Sequence, residues 1–288
     1  MKTILVPVDF SDNSKNAMDY AILLANKLHM KLLLLHAFHP TMAEAVSDSY
    51  KALRHKNVNF TPKEMHGELK IWQEAVNDTE NDIPCETVFK EGDLTDAITE
   101  LMNEKEIHLI VMGTKGATGL REIFLGSNTT NVIEKVACPV IAIPAGYQFD
   151  KVRKTVFATD YNDSDIDSIR FASKMANAFG SELTIVHLAG GNTSVRVEEN
   201  MMDHFSEMVA KSVHYNKLRF HLLEGENVVK ALEEYITDYK ADLLAVSSND
   251  RIFLGPLFNQ GLTKKFACNI QIPLMVFHTV DINDNDLF

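Results

Sequence analysis

Residues 113–130, GTKGATGLREIFLGSNTT, combine closely spaced glycines with hydroxyl and amide side chains. A short apolar run, IHLIVM (107–112), precedes this segment, and NVIEKVA (131–137), which is patterned like a helix, follows it. Glycine-rich backbone between a strand and a helix N-terminus commonly faces an anion, because its free N–H groups and the helix dipole favour negative charge. The chemistry that the segment predicts is the binding of a phosphate group.

The spacing of the glycines excludes two familiar phosphate motifs. The segment has no Gly-Lys-Ser/Thr, so it is not a Walker A loop, and its first three glycines are each three residues apart, unlike the dinucleotide motif GxGxxG. Its pattern is Gly-x2-Gly-x9-Gly-Ser, formed by Gly113, Gly116, Gly126 and Ser127. Gly113 and Gly116 would let the backbone approach a ligand without a Cβ, and both can take positive φ. Tight packing of a strand against a helix is the alternative explanation.

Asp9 is the second candidate for chemistry, since it ends the apolar run TILVPVD. A carboxylate there could accept hydrogen bonds from ribose hydroxyls, or hold a Mg²⁺ ion that bridges to phosphates. It could also serve only as a cap for the helix that follows, which is a common role for an acid at that place. His36 and His187, at the ends of second strands, are expected to be hydrogen-bonded core residues.

The elements that must position these residues are repeated along the chain. Residues 3–37 align with 154–188 at a constant shift of 151, which places Asp9 on Asp160. Buried strands alternate with helices in both copies, so each copy is predicted to be a doubly wound, Rossmann-like α/β domain with five parallel strands. The expected domains are 1–147 and 152–280, followed by an acidic tail, 281–288.

Within the first copy, a helix is predicted from the N-cap Ser11 to about Leu28, with further helices over about 41–57 and 62–77 and at LTDAITELMNEK. The strands are predicted at TILVPVD, KLLLLHAF, CETVFKEG, LIVMG and PVIAIPA. Ligands of such sheets sit at the carboxyl ends of the strands where the winding direction reverses. We therefore expect Asp9 and Gly113 to meet at that edge.

Composition narrows the class of protein. The 288 residues carry a formal net charge of −12, which argues against a general nucleic-acid or anionic-membrane surface. Three cysteines without a CxxC pair indicate reduced thiols rather than a disulfide framework or a zinc site. The first apolar run is interrupted by an acid before it could form a signal peptide, and no run approaches the length of a membrane span. The chain is expected to be cytoplasmic.

The Gly-x2-Gly-x9-Gly-Ser pattern, the opening VPVDFSD and the ending ACPVIAIP (137–144) resemble the universal stress protein family. The resemblance covers the first half throughout and the second half in arrangement, as in a tandem member. It implies an ATP site with adenine and ribose near the tips of strands 1 and 2, and with sugar and phosphates along the loop. The residues that it implies are Pro7, Val8, Asp9, Ala37, Met112, Gly113, Gly116, Gly126, Ser127, Asn128 and Thr129. The hydroxyls of Ser127 and Thr129 would add donors for phosphate.

The second copy departs from this pattern. Aligned on DLLAV (242–246), Ser247 stands where Gly113 stands, Gly116 has no equivalent, and Gly126-Ser127 becomes Gly255-Pro256. Proline lacks the N–H that a phosphate oxygen would use. The second copy is therefore expected not to bind ATP in this manner, and it would bind either nothing or a different small ligand in a reshaped pocket. It is expected to act as a pseudo-dimer partner, and the resemblance suggests pairing through the fifth strands, at 140–143 and 274–277, with a homodimer as a further arrangement.

Three functions stay open on these grounds. The first is an ATP-binding stress-response or signalling module whose occupancy changes its binding of a protein partner. The second is a slow Mg²⁺-dependent ATPase using the same pocket, although no Ser-His-Asp set or paired carboxylates are legible, so at most weak hydrolysis is expected. The third is a scaffold with a vestigial site. A longer segment at about 38–83 would be a lid or an interface.

Overall fold

The computed structural model describes residues 1–38, 61–78, 83–114, 126–149, 151–189, 194–225, 227–247 and 271–278. The chain divides into two compact units, Met1–Tyr147 (unit 1) and Gln148–Phe288 (unit 2). Some sequence predictions lie outside the described residues: the helix at 41–57, Gly116, Gly255-Pro256 and the tail 281–288.

Unit 1 is a five-stranded sheet with helices between its strands. All of its strand pairs are parallel, and the strand order is β3-β2-β1-β4-β5. The strands are β1 Thr3–Pro7, β2 Lys31–Phe38, β3 Cys85–Glu91, β4 Ile107–Gly113 and β5 Val140–Ile143. The described helices are α1 Asp12–Leu28, α2 Pro62–Asn77, α3 Leu94–Glu104 and α4 Ser127–Lys135.

The central strands form the core of unit 1. Residues 4–6 of β1, 32–35 of β2 and 109–111 of β4 are fully buried. A strand buried on both faces reads as a continuous apolar run rather than as an alternation. That property is the reason why LLLL and HLIV predicted central strands of a parallel sheet.

Local capping explains where the first two described helices begin. Ser11 caps α1 by accepting a hydrogen bond from the Ser14 N–H, which confirms the predicted start. Thr61 and Glu64 form a capping box at the start of α2, with Pro62 in the first turn.

Unit 2 has the same strand order and equivalent registers. Its parallel sheet runs β10-β9-β6-β7-β8. Thr3 pairs with Lys31 in unit 1, and Lys154 pairs with Glu182 in unit 2, which is the same pair displaced by 151. The elements are β6 Lys154–Ala158, α5 Asp165–Phe179, β7 Glu182–Ala189, α6 Val195–Ser212, β8 Leu218–Glu224, α7 Val228–Tyr239, β9 Leu243–Ser247 and β10 Leu274–Phe277.

The predicted fold class is thus confirmed: two doubly wound α/β units, each with five parallel strands. Among the described residues, no helix has the length and apolar character needed to cross a membrane.

Candidate functional site

The strand order of unit 1 creates one place where the winding direction reverses. The chain runs from β1 through β2 to β3 on one side, and then returns to β4 on the other side of β1. We call the carboxyl ends of β1 and β4 the switch point of unit 1. Asp9 follows β1 and Gly113 ends β4, so the structure brings both residues to this point, although about 100 residues separate them in sequence.

Packing around Gly113 at the switch point is tight. A Cβ built on Gly113 would lie 3.0 Å from the backbone oxygen of Asn13, in the first turn of α1. Gly113 is absent from the described residues with positive φ. Gly113 therefore does not use its capacity for positive φ, and the contact with Asn13 favours the alternative of tight strand–helix packing.

The N-terminus of α4 lies beside the end of β4. Gly126 is the N-cap of this nine-residue helix, and within the described chain no side chain caps it. The Gly126 N–H donates to the Thr114 oxygen at 2.6 Å, which ties the start of α4 to the residue after β4. Ser127 and Asn128 are exposed. Uncapped first-turn N–H groups and the positive end of the dipole make this a suitable position for an anion.

Thr129 differs from its predicted role. Its side chain is buried, and its hydroxyl donates to the Gly113 oxygen at 2.9 Å. The hydroxyl hydrogen is therefore used to hold α4 against β4, and the expected donation from this hydroxyl to a phosphate is wrong for this conformation. Of the two donors of Thr129, only the N–H, which lies in the first turn of the helix, is placed for an anion.

Asp9 contributes to the start of α1. Its Oδ1 accepts hydrogen bonds from the Ser11 N–H at 3.1 Å and from the Ser11 hydroxyl at 2.6 Å. The predicted capping alternative therefore describes a contact that the structure contains. Asp9 is half-buried, so a role toward ribose or Mg²⁺ is compatible with this contact and stays a prediction.

The tip of β1 is held by a buried histidine. The Val8 N–H donates to the Leu35 oxygen at 2.8 Å, and the Val8 oxygen accepts from His36 Nδ1 at 2.7 Å. Burial lowers the pKa of His36, with the hydrogen bond to Val8 and the nearby Asp9 carboxylate opposing this shift. His36 is thus a buried, hydrogen-bonded core residue, as predicted. The equivalent His187 is also hydrogen-bonded, since its Nδ1 lies 2.7 Å from the Thr159 oxygen, but it is half-buried.

The remaining predicted residues lie along the same edge. Pro7 ends β1 and is buried. Ala37 lies on β2 opposite Lys90 and is half-buried, one strand away from the switch point. Met112 lies on β4 opposite Ala142 and is buried. In the described part of the chain, no three His, Cys, Asp or Glu side chains are placed to share a metal ion.

Comparison with known proteins agrees with this architecture. The sequence profile of the universal stress protein family matches residues 1–144, which is half of the chain. The chain belongs to the universal stress protein family. This membership places it among stress-response proteins.

Two relatives within the family match one half of this universal stress protein. Universal stress protein YxiE of Bacillus subtilis is 31% identical over 145 residues, covering 49% of this chain and 97% of the relative. A universal stress protein of Methanocaldococcus jannaschii is 30% identical over 152 residues, covering 49% of this chain and 94% of the relative. This chain is therefore about twice as long as a single family domain.

A solved structure matches nearly the whole universal stress protein chain. The crystal structure of a universal stress protein from Archaeoglobus fulgidus covers 96% of this chain and 98% of its own, with a TM-score of 0.69 and 17% identity. At that identity the likeness is one of fold.

Sequence reasoning missed two contributors to this universal stress protein's switch point. Asn13 provides the backbone against which Gly113 packs. Phe10 adopts a left-handed φ of 61° and packs on His36 with ring centroids 4.6 Å apart. The equivalent Tyr161 has a φ of 64° and stacks on His187 at 3.8 Å. The repeated aromatic after each strand-1 acid was the signal that could have identified this contact.

Proposed function

We propose that this chain is a nucleotide-responsive stress module that binds ATP at the switch point of unit 1. In this function, occupancy of the site changes the conformation that a protein partner recognises. The observation that carries the proposal is the exposed N-terminus of α4, which no side chain of the described residues caps and which lies beside the end of β4.

The residues around the switch point suit the parts of ATP. The N–H groups of Ser127, Asn128 and Thr129 supply donors for phosphate oxygens at the positive end of a helix. Asp9 offers a carboxylate at the tip of β1, where ribose hydroxyls would need an acceptor. Ala37, beside the adenine, presents a small side chain that leaves room for a planar ring.

Mg²⁺ fits this site with a single ligand from the protein. Because Mg²⁺ bound with a nucleotide usually keeps several waters and takes only one or two carboxylates, Asp9 alone is a sufficient protein ligand. The ion would supply charge neutralisation to the phosphates. The half-buried Asp9, anchored by Ser11, would hold its carboxylate in a fixed orientation for that purpose.

Mass spectrometry of the protein purified without added nucleotide gives the first test. ATP at one equivalent per chain is expected. Absence of nucleotide, together with no ATP binding by calorimetry, would favour a scaffold with a vestigial site. ADP that accumulates on incubation with Mg²⁺, and that is lost on replacing Asp9 by Ala, would favour the slow ATPase.

Ser127→Pro tests the role of the main-chain amide. Ser127 is the first residue of α4, a position where proline is well tolerated because its N–H has no partner within the helix. We expect Ser127→Pro to fold normally and to weaken ATP binding at least tenfold in calorimetry. Ser127→Ala, which keeps the amide, is the matched control and should lose much less. Equal affinity in Ser127→Pro and the wild type would place the phosphates elsewhere.

A further inference from the structure

The two units differ at their switch points in a pair of equivalent positions. Gly113 ends β4 opposite Ile143, and Ser247 ends β9 opposite Phe277, so Ser247 occupies the position of Gly113. The constant shift of 151 places Asp165 on Ser14. At the first position unit 1 has the hydroxyl of Ser14 and unit 2 has the carboxylic acid of Asp165. At the second position unit 1 has Gly113, without a side chain, and unit 2 has the hydroxyl of Ser247.

In unit 1 these positions are small and electrically neutral. The Ser14 hydroxyl donates to the Ser11 oxygen at 3.0 Å and accepts from the Asp9 N–H at 3.4 Å. Gly113 leaves room for the backbone of Asn13 directly against the end of β4. The Asp9 N–H is held by a neutral group, so this part of the edge adds no negative charge beyond that of Asp9.

In unit 2 the same positions hold a buried acid. Asp165 and Ser247 are fully buried, and Asp165 Oδ2 accepts from the Thr159 hydroxyl at 2.6 Å. Within the described residues, neither Asp165 Oδ1 nor Ser247 Oγ has a hydrogen-bond partner of good geometry. Burial raises the pKa of Asp165 to about 6, with neighbouring Asp160 adding to the rise, whereas Thr159 and Ser247 oppose it. Unit 2 therefore places a buried acidic group beside Ser247, at the position where unit 1 has the hydroxyl of Ser14.

The start of the helix is also displaced in unit 2. The position equivalent to Asp12, where α1 begins, is Asp163, yet α5 begins at Asp165. The Asp165 N–H donates to the Asn162 oxygen at 2.9 Å and the Ile166 N–H to the Asp163 oxygen at 3.2 Å, which are tight i→i+3 contacts. In unit 1 a Cβ at Gly113, the position of Ser247, would lie 3.0 Å from the backbone oxygen of Asn13, so a side chain here is a sufficient reason for a later helix start.

We infer that Asp165 and Ser247 close the switch point of unit 2 to phosphate groups and so confine nucleotide binding to unit 1. This inference rests on the nucleotide site proposed above for unit 1. An ionised carboxylate at this place would repel a phosphate in a region of low dielectric. The Ser247 side chain and the displaced helix start alter the edge that Gly113 and α1 form in unit 1. Pro256 by itself removes one amide donor from unit 2. Asp165 and Ser247 are a second barrier to nucleotide binding, separate from this proline.

Titration of the full chain with Mg-ATP separates these barriers. The wild type should bind one equivalent. Pro256→Ser, which restores the missing amide, should still bind one equivalent with high affinity. The triple variant combines Pro256→Ser with Asp165→Ser and Ser247→Gly. It should bind a second equivalent of ATP. Its affinity for this second equivalent should be at least tenfold higher than that of any second binding event in Pro256→Ser alone.

The number of bound equivalents in these variants decides whether Asp165 and Ser247 block the switch point of unit 2. A second strong equivalent in Pro256→Ser alone, or no gain in the triple variant folded by circular dichroism, overturns the inference. If the triple variant does not fold, Asp165→Asn in the Pro256→Ser background keeps the side-chain shape and removes the charge. It should show a measurable gain in second-site affinity, and the absence of a gain overturns the inference. A wild type without any bound nucleotide instead refutes the function proposed for unit 1.

Discussion

At the scale of single residues, two residues at the switch point of unit 1 position the start of α1: Gly113 packs against it, and Asp9 anchors it by hydrogen bonds. Gly113 allows α1 to lie on the end of β4, and Asp9 binds Ser11 at the N-cap of α1. Both residues therefore fix the position of the first turn of α1 relative to the sheet. Any ligand at this edge would meet a surface that these contacts have already ordered.

Gly113→Ala should destabilise unit 1, because its Cβ would lie 3.0 Å from the Asn13 oxygen, a backbone atom that cannot move alone. We expect a loss of about 1–3 kcal/mol in the free energy of unfolding, as for other overpacked sites. The chain has one tryptophan, Trp72 in α2, so urea unfolding followed by its fluorescence reports on unit 1.

Gly67→Ala is the matched control for this measurement. Gly67 lies in α2 with nothing within 4 Å of an added Cβ, so alanine should stabilise unit 1 by about 0.5–1 kcal/mol. A neutral or stabilising effect of Gly113→Ala would show that α1 can move away from β4 at little cost.

At the scale of elements, equivalent helices of the two units begin differently. In α2, Thr61 accepts from the Glu64 N–H at 3.3 Å and the Glu64 carboxylate accepts from the Thr61 N–H at 2.7 Å. In α6, the side chain of the N-cap Ser194 makes no capping hydrogen bond to any residue that the structure describes. The same position in the repeat therefore has a strong helix start in unit 1 and a weak one in unit 2.

Thr61→Ala should cost about 1 kcal/mol because it removes the capping acceptor. Ser194→Ala should change stability by no more than about 0.5 kcal/mol, since no capping bond is lost. Hydrogen exchange of peptides covering the first turns of α2 and α6 measures both effects. If Ser194→Ala increased the exchange rate at the start of α6 as much as Thr61→Ala increases it at the start of α2, the assignment of the caps would be contradicted.

At the scale of the whole molecule, one chain holds two units of the same fold with unequal switch points. Unit 1 carries Gly113 and an α4 start that no described side chain caps, whereas unit 2 carries Ser247 and a buried Asp165. This difference predicts that ATP stabilises the two units unequally.

Saturating Mg-ATP should raise the free energy of unfolding of unit 1 by about 2.7 kcal/mol at one hundred times Kd. Hydrogen exchange by mass spectrometry should show added protection in β1, β4 and α4, and little in β6, β9 and α5. Equal protection in both units would indicate two working sites. A non-binding nucleoside without phosphates serves as the control for non-specific effects of the ligand.

Several parts of the site could be predicted from the sequence because they depend on local patterns. Asp9 and Gly113 follow continuous apolar runs, and in a parallel sheet such runs end at the same edge. Ser11 as N-cap is a local choice of a hydroxyl before a helical pattern. The parts that failed depend on distant contacts: the hydroxyl of Thr129 binds the Gly113 oxygen, and Gly113 packs against Asn13 of another element.

The sequence alone determined the repeat pattern, the order of strands and helices, the family resemblance and the glycine spacing, since periodicity and spacing are properties of neighbouring residues. Only the tertiary structure decided which donors are already used, which backbone packs against Gly113, and that Asp165 and Ser247 face each other in a buried place. The physical reason is that burial and hydrogen-bond partnership arise where elements remote in the chain come together, and no local pattern encodes which side chains then meet.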